Sequence, residues 1–204
     1  MSIAAKLREY RTFATRALRE PATFGAVLPT SRYVAEAVAE VVPSTGTPTV
    51  LELGPGTGPL SDALRSRIPD GSRHLAVEID RGMVDYLRRA KPWLEVVEGD
   101  AAHLRTLLDE AGVRSADAVI SSLPWTLLPP GEQRALLDEI ARVLDPNGVF
   151  TTVTYLTTLW RDRTREFVGA LDEVFDEVLP RSAVWRNVPP ARVYACRRPL
   201  TPAR

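Results

Sequence analysis

Short apolar runs and amphipathic stretches alternate along most of this chain. Residues 49–53, 74–79, 94–98, 116–121 and 148–155 read as strands, because each run is short, rich in Val, Ile, Leu or Ala and bounded by turn-forming residues. Between and after them, residues 58–68, 81–90, 101–111, 131–144 and 162–178 carry apolar positions at spacings of three and four, the period of a helix with one buried face. The alternation predicts an α/β fold with a doubly wound, mostly parallel sheet. Towards the C-terminus the rhythm changes. Residues 182–188 and 191–197 are separated by Pro189-Pro190, which leaves no room for a crossover helix. These two segments are expected to pair antiparallel and to complete a seven-stranded sheet. Thr30 or Ser31 is a candidate cap for a helix running to about Val42. At the N-terminus, Ile3, Leu7, Tyr10, Ala14 and Ala17 share one helical face, Lys6, Arg8, Arg11, Arg16 and Arg19 occupy the rest, and Pro21 ends the helix. The chain therefore divides into an amphipathic helix over residues 1–20 and a second unit over 21–204.

Composition narrows the classes of function. A length of 204 residues, 45% hydrophobic and 25% charged, suits one domain with a sizeable core. The formal net charge is zero, so no global field recruits nucleic acid. Cys196 is the single cysteine and His74 and His103 are the two histidines, which argues against a disulfide or a metal centre. No apolar run approaches the ~20 residues of a membrane span, and charges recur from Lys6 onward where a signal peptide would be apolar. A cytoplasmic protein is expected.

The densest signal lies at Val50 to Gly58, V-L-E-L-G-P-G-T-G. An apolar strand runs into Gly54, Gly56 and Gly58, and a helical pattern follows. Glycines at such a strand-to-helix turn admit positive φ and let a ligand approach the main chain. Ligands in open α/β sheets bind beyond the carboxyl ends of the strands, so what ends each strand is the next test. The second strand ends at Glu78, Ile79 and Asp80. Glu78 stands 20 residues after Gly58, where nucleotide-binding folds place an acid that accepts from ribose hydroxyls. The third ends in Gly99-Asp100-Ala101, an acid able to accept from an adenine amino group beside a backbone that reads the ring edge. Met83, one turn past the second strand, is placed to pack on the ring face. Asp80 and Asp100 also fit as helix caps.

The fourth strand ends in Ser121-Ser122-Leu123-Pro124-Trp125. Pro124 fixes a turn whose carbonyls and Ser122 hydroxyl can orient an amine, and Trp125 offers a wall with a π-face for a cation. Tyr155 ends the fifth strand, where its hydroxyl can bond a head group or its phosphate. His103 follows Asp100 and reads as an exposed helix residue more readily than as a base.

Glu52-Leu53-Gly54-Pro55-Gly56-Thr57-Gly58 resembles motif I of class I S-adenosylmethionine (SAM) methyltransferases, with Glu52 as its acidic residue. Ser122-Leu123-Pro124-Trp125 resembles the D/N/S-x-P-aromatic pattern of amino-methylating members. Gly25-Ala26-Val27-Leu28-Pro29-Thr30-Ser31, Glu98-Gly99-Asp100-Ala101 and the basic N-terminal helix extend the resemblance over nearly the whole chain. The chain is similar to bacterial phospholipid N-methyltransferases, a branch related to rRNA adenine dimethyltransferases. The resemblance implies a SAM site at Glu52, Gly54, Pro55, Gly56, Thr57, Gly58, Glu78, Ile79, Met83, Gly99, Asp100, Ala101 and Ser121. It implies a catalytic group of Ser122, Tyr155 and Trp125, no metal, and stepwise methylation of phosphatidylethanolamine at an anionic membrane surface. Leu156-Thr157-Thr158 departs from the Gly-Pro that often follows the strand-five tyrosine in that family, which keeps a small-molecule acceptor open. A SAM-binding scaffold without turnover and an RNA methyltransferase are the other classes considered. The neutral charge and the lack of residues for an appended helical domain after Cys196 count against the last.

Overall fold

A strand whose residues are apolar on both faces is stable only with helices on both sides of its sheet. Strand β1 (Thr49–Leu53) meets that condition, with Val50, Leu51, Glu52 and Leu53 all fully buried. The computed structural model describes residues 30–200. Helix α1 (Arg32–Ala39) precedes β1, and Ser31 is its cap, its hydroxyl accepting from the Val34 amide. The order then runs α2 (Pro59–Arg65), β2 (Arg73–Glu78), α3 (Arg81–Ala90), β3 (Glu95–Glu98), α4 (Leu104–Glu110), β4 (Ala116–Ser121), α5 (Pro130–Val143), β5 (Leu144–Tyr155), α6 (Asp162–Val174), β6 (Phe175–Pro180) and β7 (Ala191–Pro199). A short 3-10 turn over Ala101–His103 leads into α4.

The seven strands lie in the order β3-β2-β1-β4-β5-β7-β6. Strands β1 to β5 are parallel, with Leu51 opposite Leu75 on one side and Val119 on the other. Strand β7 is antiparallel to both β5 and β6. The doubly wound sheet with an antiparallel last strand is thus the architecture the sequence predicts. Winding reverses between β1 and β4, so the crevice of the sheet opens at their carboxyl ends. Leu51, Leu53 and Val119 pack on one face with Leu137 and Ile140 of α5 and Leu171 of α6. Val50, Ala118 and Ile120 pack on the other with Val34 and Val38 of α1 and Leu60 and Leu64 of α2.

The C-terminal expectation needs correction. The outer partner of β7 is residues 175–180, of which the helical period places 175–178 at the end of α6, and not residues 182–188. Leu171, Val174, Phe175 and Val178 fall at helical spacing, so periodicity alone carries the helix too far. Phe175 instead leaves the helix and stacks on Phe150 with centroids 5.5 Å apart, and pairing with β7 makes the next residues an edge strand. Residues 182–188 form a loop, joined to β7 by one isolated bridge between Val184 and Ala191. The predicted N-terminal helix over 1–20 and the motif from Gly25 to Pro29 lie outside the described residues.

Phe150 is fully buried between the rings of Phe175 and Trp125. Replacing it with alanine is expected to lower stability by about 3–5 kcal/mol, the usual cost of truncating a core phenylalanine. Denaturant unfolding, read with the dependence on denaturant concentration unchanged, checks this.

Candidate active site

Glycines control the turn out of β1. The Gly54 amide continues the ladder by donating to the Val77 carbonyl at 3.0 Å, and the Gly58 amide closes the turn on the Pro55 carbonyl at 2.9 Å. Gly56 and Gly58 both have left-handed backbones, φ +59° and +80°. A side chain on Gly56 would meet nothing within 4 Å, so the turn faces open space there. A Cβ on Gly58 would lie 2.2 Å from Cε of Lys91, whose stem crosses the start of α2 on its way to Asp62. The first glycine thus keeps the cleft clear and the second lets a neighbouring side chain seal the turn. Pro55 is buried and Thr57 is exposed on the turn.

Glu52 lies beneath the glycine turn. Its side chain is fully buried between β1 and α2, where Oε2 accepts from the Ser61 hydroxyl at 2.7 Å and lies 3.1 Å from His74 Nε2. Strand alternation turns this residue under the glycine loop, and its Oε1 is buried there without a hydrogen-bond partner. Trp93, whose ring centroid is 5.9 Å from that of His74, covers the same pocket.

Glu78 behaves differently. It is the last residue of β2 and 4% exposed. Its Oε1 accepts from the backbone amides of Ile79 and Asp80, each at 2.9 Å. Oε2 is buried with no partner at hydrogen-bond geometry, although the Gly56 amide lies near enough to favour the charged form. Desolvation outweighs these amides and raises the carboxyl above its ordinary value. A buried acceptor beside the open turn, lacking donors, is what a ligand with hydroxyl groups satisfies.

Asp80 and Asp100 both cap helical turns, accepting from the amides of Met83 at 2.9 Å and Ala102 at 3.0 Å. Capping holds each carboxylate at its strand end. Met83 packs partly buried against the cluster of Ala76, Val84 and Leu87. Gly99 follows β3 directly, and any side chain there would meet Leu107 at 2.6 Å. Ala101 opens the 3-10 turn, and Ile79 stands between the two acids. His103 is exposed.

The loop after β4 is fastened from three directions. The Ser122 amide donates to the Leu53 carbonyl at 3.0 Å, so the loop extends the β1 ladder. Leu123 rests on Gly54, with Cδ2 2.8 Å from where a Cβ would stand. The buried Ser121 hydroxyl accepts from the Trp125 indole at 3.0 Å and sits 3.3 Å from the Leu123 amide. Gln133 of α5, 1% exposed, donates its amide to the Trp125 and Leu128 carbonyls at 2.8 and 3.1 Å. Nothing in the sequence marked Gln133; a polar residue on the buried face of a helix was the available signal.

The expected free face of Trp125 needs correction. Its ring is 2% exposed and stacks on Phe167 with centroids 4.8 Å apart, so it anchors the loop in the core and offers no free face to a cation. Ser122 and Tyr155 are half-buried at the adjacent ends of β4 and β5. Burial raises the Tyr155 phenol above its ordinary value, so it stays protonated and acts as a hydroxyl, not as a base. Among the described residues, no group of three or more His, Cys, Asp or Glu could hold a metal.

The geometry thus combines an open glycine turn, a donor-poor carboxylate on the next strand and a fastened polar loop after the fourth. Comparison with known proteins agrees with it. A family model described as a methyltransferase domain matches residues 50–148. The chain is 28% identical over 194 residues to an ornithine lipid N-methyltransferase from Singulisphaera acidiphila, covering 94% of this chain and 97% of that protein. It is 36% identical over 105 residues to ribosomal RNA small subunit methyltransferase A from Geobacter metallireducens, a match covering 48% of this chain and only 36% of that one. The structure of N-methyltransferase NodS from Bradyrhizobium japonicum, in complex with S-adenosyl-L-homocysteine, superposes with a TM-score of 0.67 over 93% of this chain and 98% of that chain. At 14% identity that likeness is one of fold. The chain has the class I methyltransferase fold, and residues 50–148 match a methyltransferase domain.

Proposed function

We propose that the chain methylates the amine of phosphatidylethanolamine, and of its partly methylated forms, at a membrane surface, with SAM held across the carboxyl ends of β1, β2 and β3. The observation that carries the cofactor site is Glu78, whose buried Oε2 lacks a donor. Two ribose hydroxyls supply donors to a carboxylate so placed. The open side of Gly56, with Gly54, Pro55, Thr57 and Gly58, holds the methionyl end through backbone groups. Asp100, Gly99 and Ala101 take the adenine edge, Met83 and Ile79 its faces. Ser121 contributes through the backbone of the loop its hydroxyl braces.

When bound, SAM supplies a methyl group on a positively charged sulfur, open to in-line displacement by a neutral amine. The chain's own work is to align that amine and keep water out. An alkylammonium has a pKa near ~10.4 in water, and a half-buried cleft lowers it, so the proton leaves to solvent before transfer. Ser122 accepts an amine N–H. Tyr155, protonated, either accepts the second N–H or donates to the lipid phosphate. The lipid acceptor is favoured by the full-length likeness to a lipid N-methyltransferase. That relative's ornithine lipid is the second candidate amine. Leu156-Thr157-Thr158 after Tyr155 is the feature that favours a small soluble acceptor instead.

Two outcomes are expected. Because folding raises the Glu78 pKa, this residue stabilises the fold fully below the ordinary Glu range and loses that contribution as pH rises through the raised value. Hydroxyl donors favour the ionised form, so affinity for S-adenosylhomocysteine is full above the raised value and falls as pH drops through it. Glu78→Gln should remove this pH dependence and raise the melting temperature of the ligand-free chain. It should also weaken binding roughly ten- to hundredfold, as loss of one charged hydrogen bond of about 1.5–3 kcal/mol implies. Calorimetry showing wild-type affinity in this variant removes Glu78 from the site.

Incubation with methyl-labelled SAM and phosphatidylethanolamine vesicles should label the lipid. Tyr155→Phe should slow that turnover roughly three- to tenfold with SAM affinity unchanged, the effect of one hydrogen bond of about 0.5–1.5 kcal/mol. Label appearing only in ornithine lipid vesicles, or only in a soluble amine, would replace the acceptor proposed here.

A further inference from the structure

We infer that the end of the sheet bearing the candidate active site is also the face that lies on an anionic phospholipid bilayer, through a rim made by the segment after β5 and the loop before β7. The inference rests on the lipid reading above for the identity of the acceptor, but the surface itself is carried by separate observations.

The first observation is where the exposed apolar side chains are. Six large hydrophobic residues are exposed among the described residues, and Trp160, Trp185 and Val188 stand apart at 71%, 73% and 71%. All three belong to the two segments at the carboxyl end of β5. Tyr155 pairs with Ala191 at the start of β7, and the Leu156 amide donates to the Pro190 carbonyl at 2.8 Å, so the two segments run side by side next to Tyr155. The other three, Tyr86, Leu179 and Leu200, are less exposed and belong to other parts of the fold.

The second is that the rim is held in shape. Val184 and Ala191 exchange backbone hydrogen bonds at 2.8 and 3.2 Å. Asn187, 6% exposed, accepts from the Ser31 amide at 3.2 Å and donates to the Pro189 carbonyl. The loop is thereby tied to the start of α1, yet the side chains on either side of Asn187 project into solvent. Leaving two tryptophans and a valine exposed on a fastened scaffold costs burial that the core would otherwise gain, about 25 cal/mol for each Å² of apolar area. A surface of this kind marks an interaction site.

The third is charge. Arg161 lies over the Trp160 ring at 5.6 Å, and Arg186 and Arg32 lie over the Tyr33 ring at 5.1 and 4.8 Å. Among the described residues none of these three arginines is ion-paired with a carboxylate, while Asp162 beside them is engaged by Arg165. Exposed indoles beside guanidinium groups without carboxylate partners match the boundary between lipid head groups and acyl chains, where tryptophan concentrates and arginine meets phosphate. A protein partner is less well matched, because exposed tryptophan beside arginine is the pairing that the lipid head-group boundary selects. With the rim seated, the ends of β4 and β5, and with them Ser122 and Tyr155, face the membrane, so a lipid amine reaches them without leaving the interface.

The test uses the full chain and vesicles of phosphatidylglycerol or phosphatidylcholine, with a quencher attached to the lipid near the head group. Of the four tryptophans, Trp125 is buried and Trp93 is partly buried, and both lie outside the rim and serve as internal controls. Wild type should bind phosphatidylglycerol vesicles in preference to phosphatidylcholine, with its emission quenched and shifted to shorter wavelength. The chain carrying Trp160→Ser and Trp185→Ser should bind at least about tenfold more weakly and lose the quenching, and Arg161→Gln with Arg186→Gln should weaken binding about tenfold or more. Affinity for S-adenosylhomocysteine should be unchanged in both. Quenching reads these two residues directly, so it decides the matter even if another segment also holds the chain on the vesicle. Wild type that binds vesicles without quenching, or a concentration-dependent dimer abolished by the same substitutions, overturns the inference. A chain that docks through the rim but labels no lipid removes the acceptor reading and leaves the surface. A chain that labels detergent-dispersed lipid while its rim variants bind vesicles as wild type does removes the surface and leaves the acceptor.

Discussion

The reversal of the chain between β1 and α2 is the constraint on which the candidate site depends. Within a few residues the backbone must leave the central strand, pass through left-handed conformations at Gly56 and Gly58, and enter a helix packed on the same sheet. Such a turn has few contacts of its own. It is held by its neighbours: Glu52 bonds Ser61 beneath it and meets His74 from β2, Lys91 lies against Gly58, and Leu123 rests on Gly54. Backbone bonds from Gly54 to Val77 and from Ser122 to Leu53 then bind the turn and the loop after β4 into the flanking strands. Moving any of these parts shifts the glycine turn and the loop after β4 relative to one another.

The same economy appears in the acidic residues at the strand ends. Asp80 and Asp100 each accept a backbone amide of the turn that follows, which fixes their position at little conformational cost. Glu78 is held the same way on one oxygen and left without a partner on the other. Burial raises its pKa, so the ligand-free protein carries a cost at neutral pH that a donor-rich ligand relieves. Stability given up at a binding site in this way is a common feature of functional pockets.

Much of this was legible in the chain itself. The positions of β1, β4 and α3 follow from apolar runs and helical spacing, and Glu78 stands out through its distance from the glycines. Trp125 is the residue whose expected role the structure corrects. A motif names residue types at a turn, but which way each side chain points depends on what packs behind it. Phe167, more than forty positions away, claims the face of Trp125. Gln133 carries no motif, and its role in fastening the loop exists only because α5 lies beneath the loop's carbonyls.

The sequence by itself determined the alternation of strands and helices, the glycine turn, the acids at two strand ends and the polar loop after β4, because these depend on local periodicity and on residues a few positions apart. Only the tertiary structure decided that residues 175–180 pair with β7, that Glu52 meets Ser61 and His74 while Glu78 Oε2 stays without a donor, and that the segments carrying Trp160 and Trp185 run side by side. Each of those outcomes is set by contacts between segments distant along the chain, where competing partners, and not local preference, settle which surface is buried.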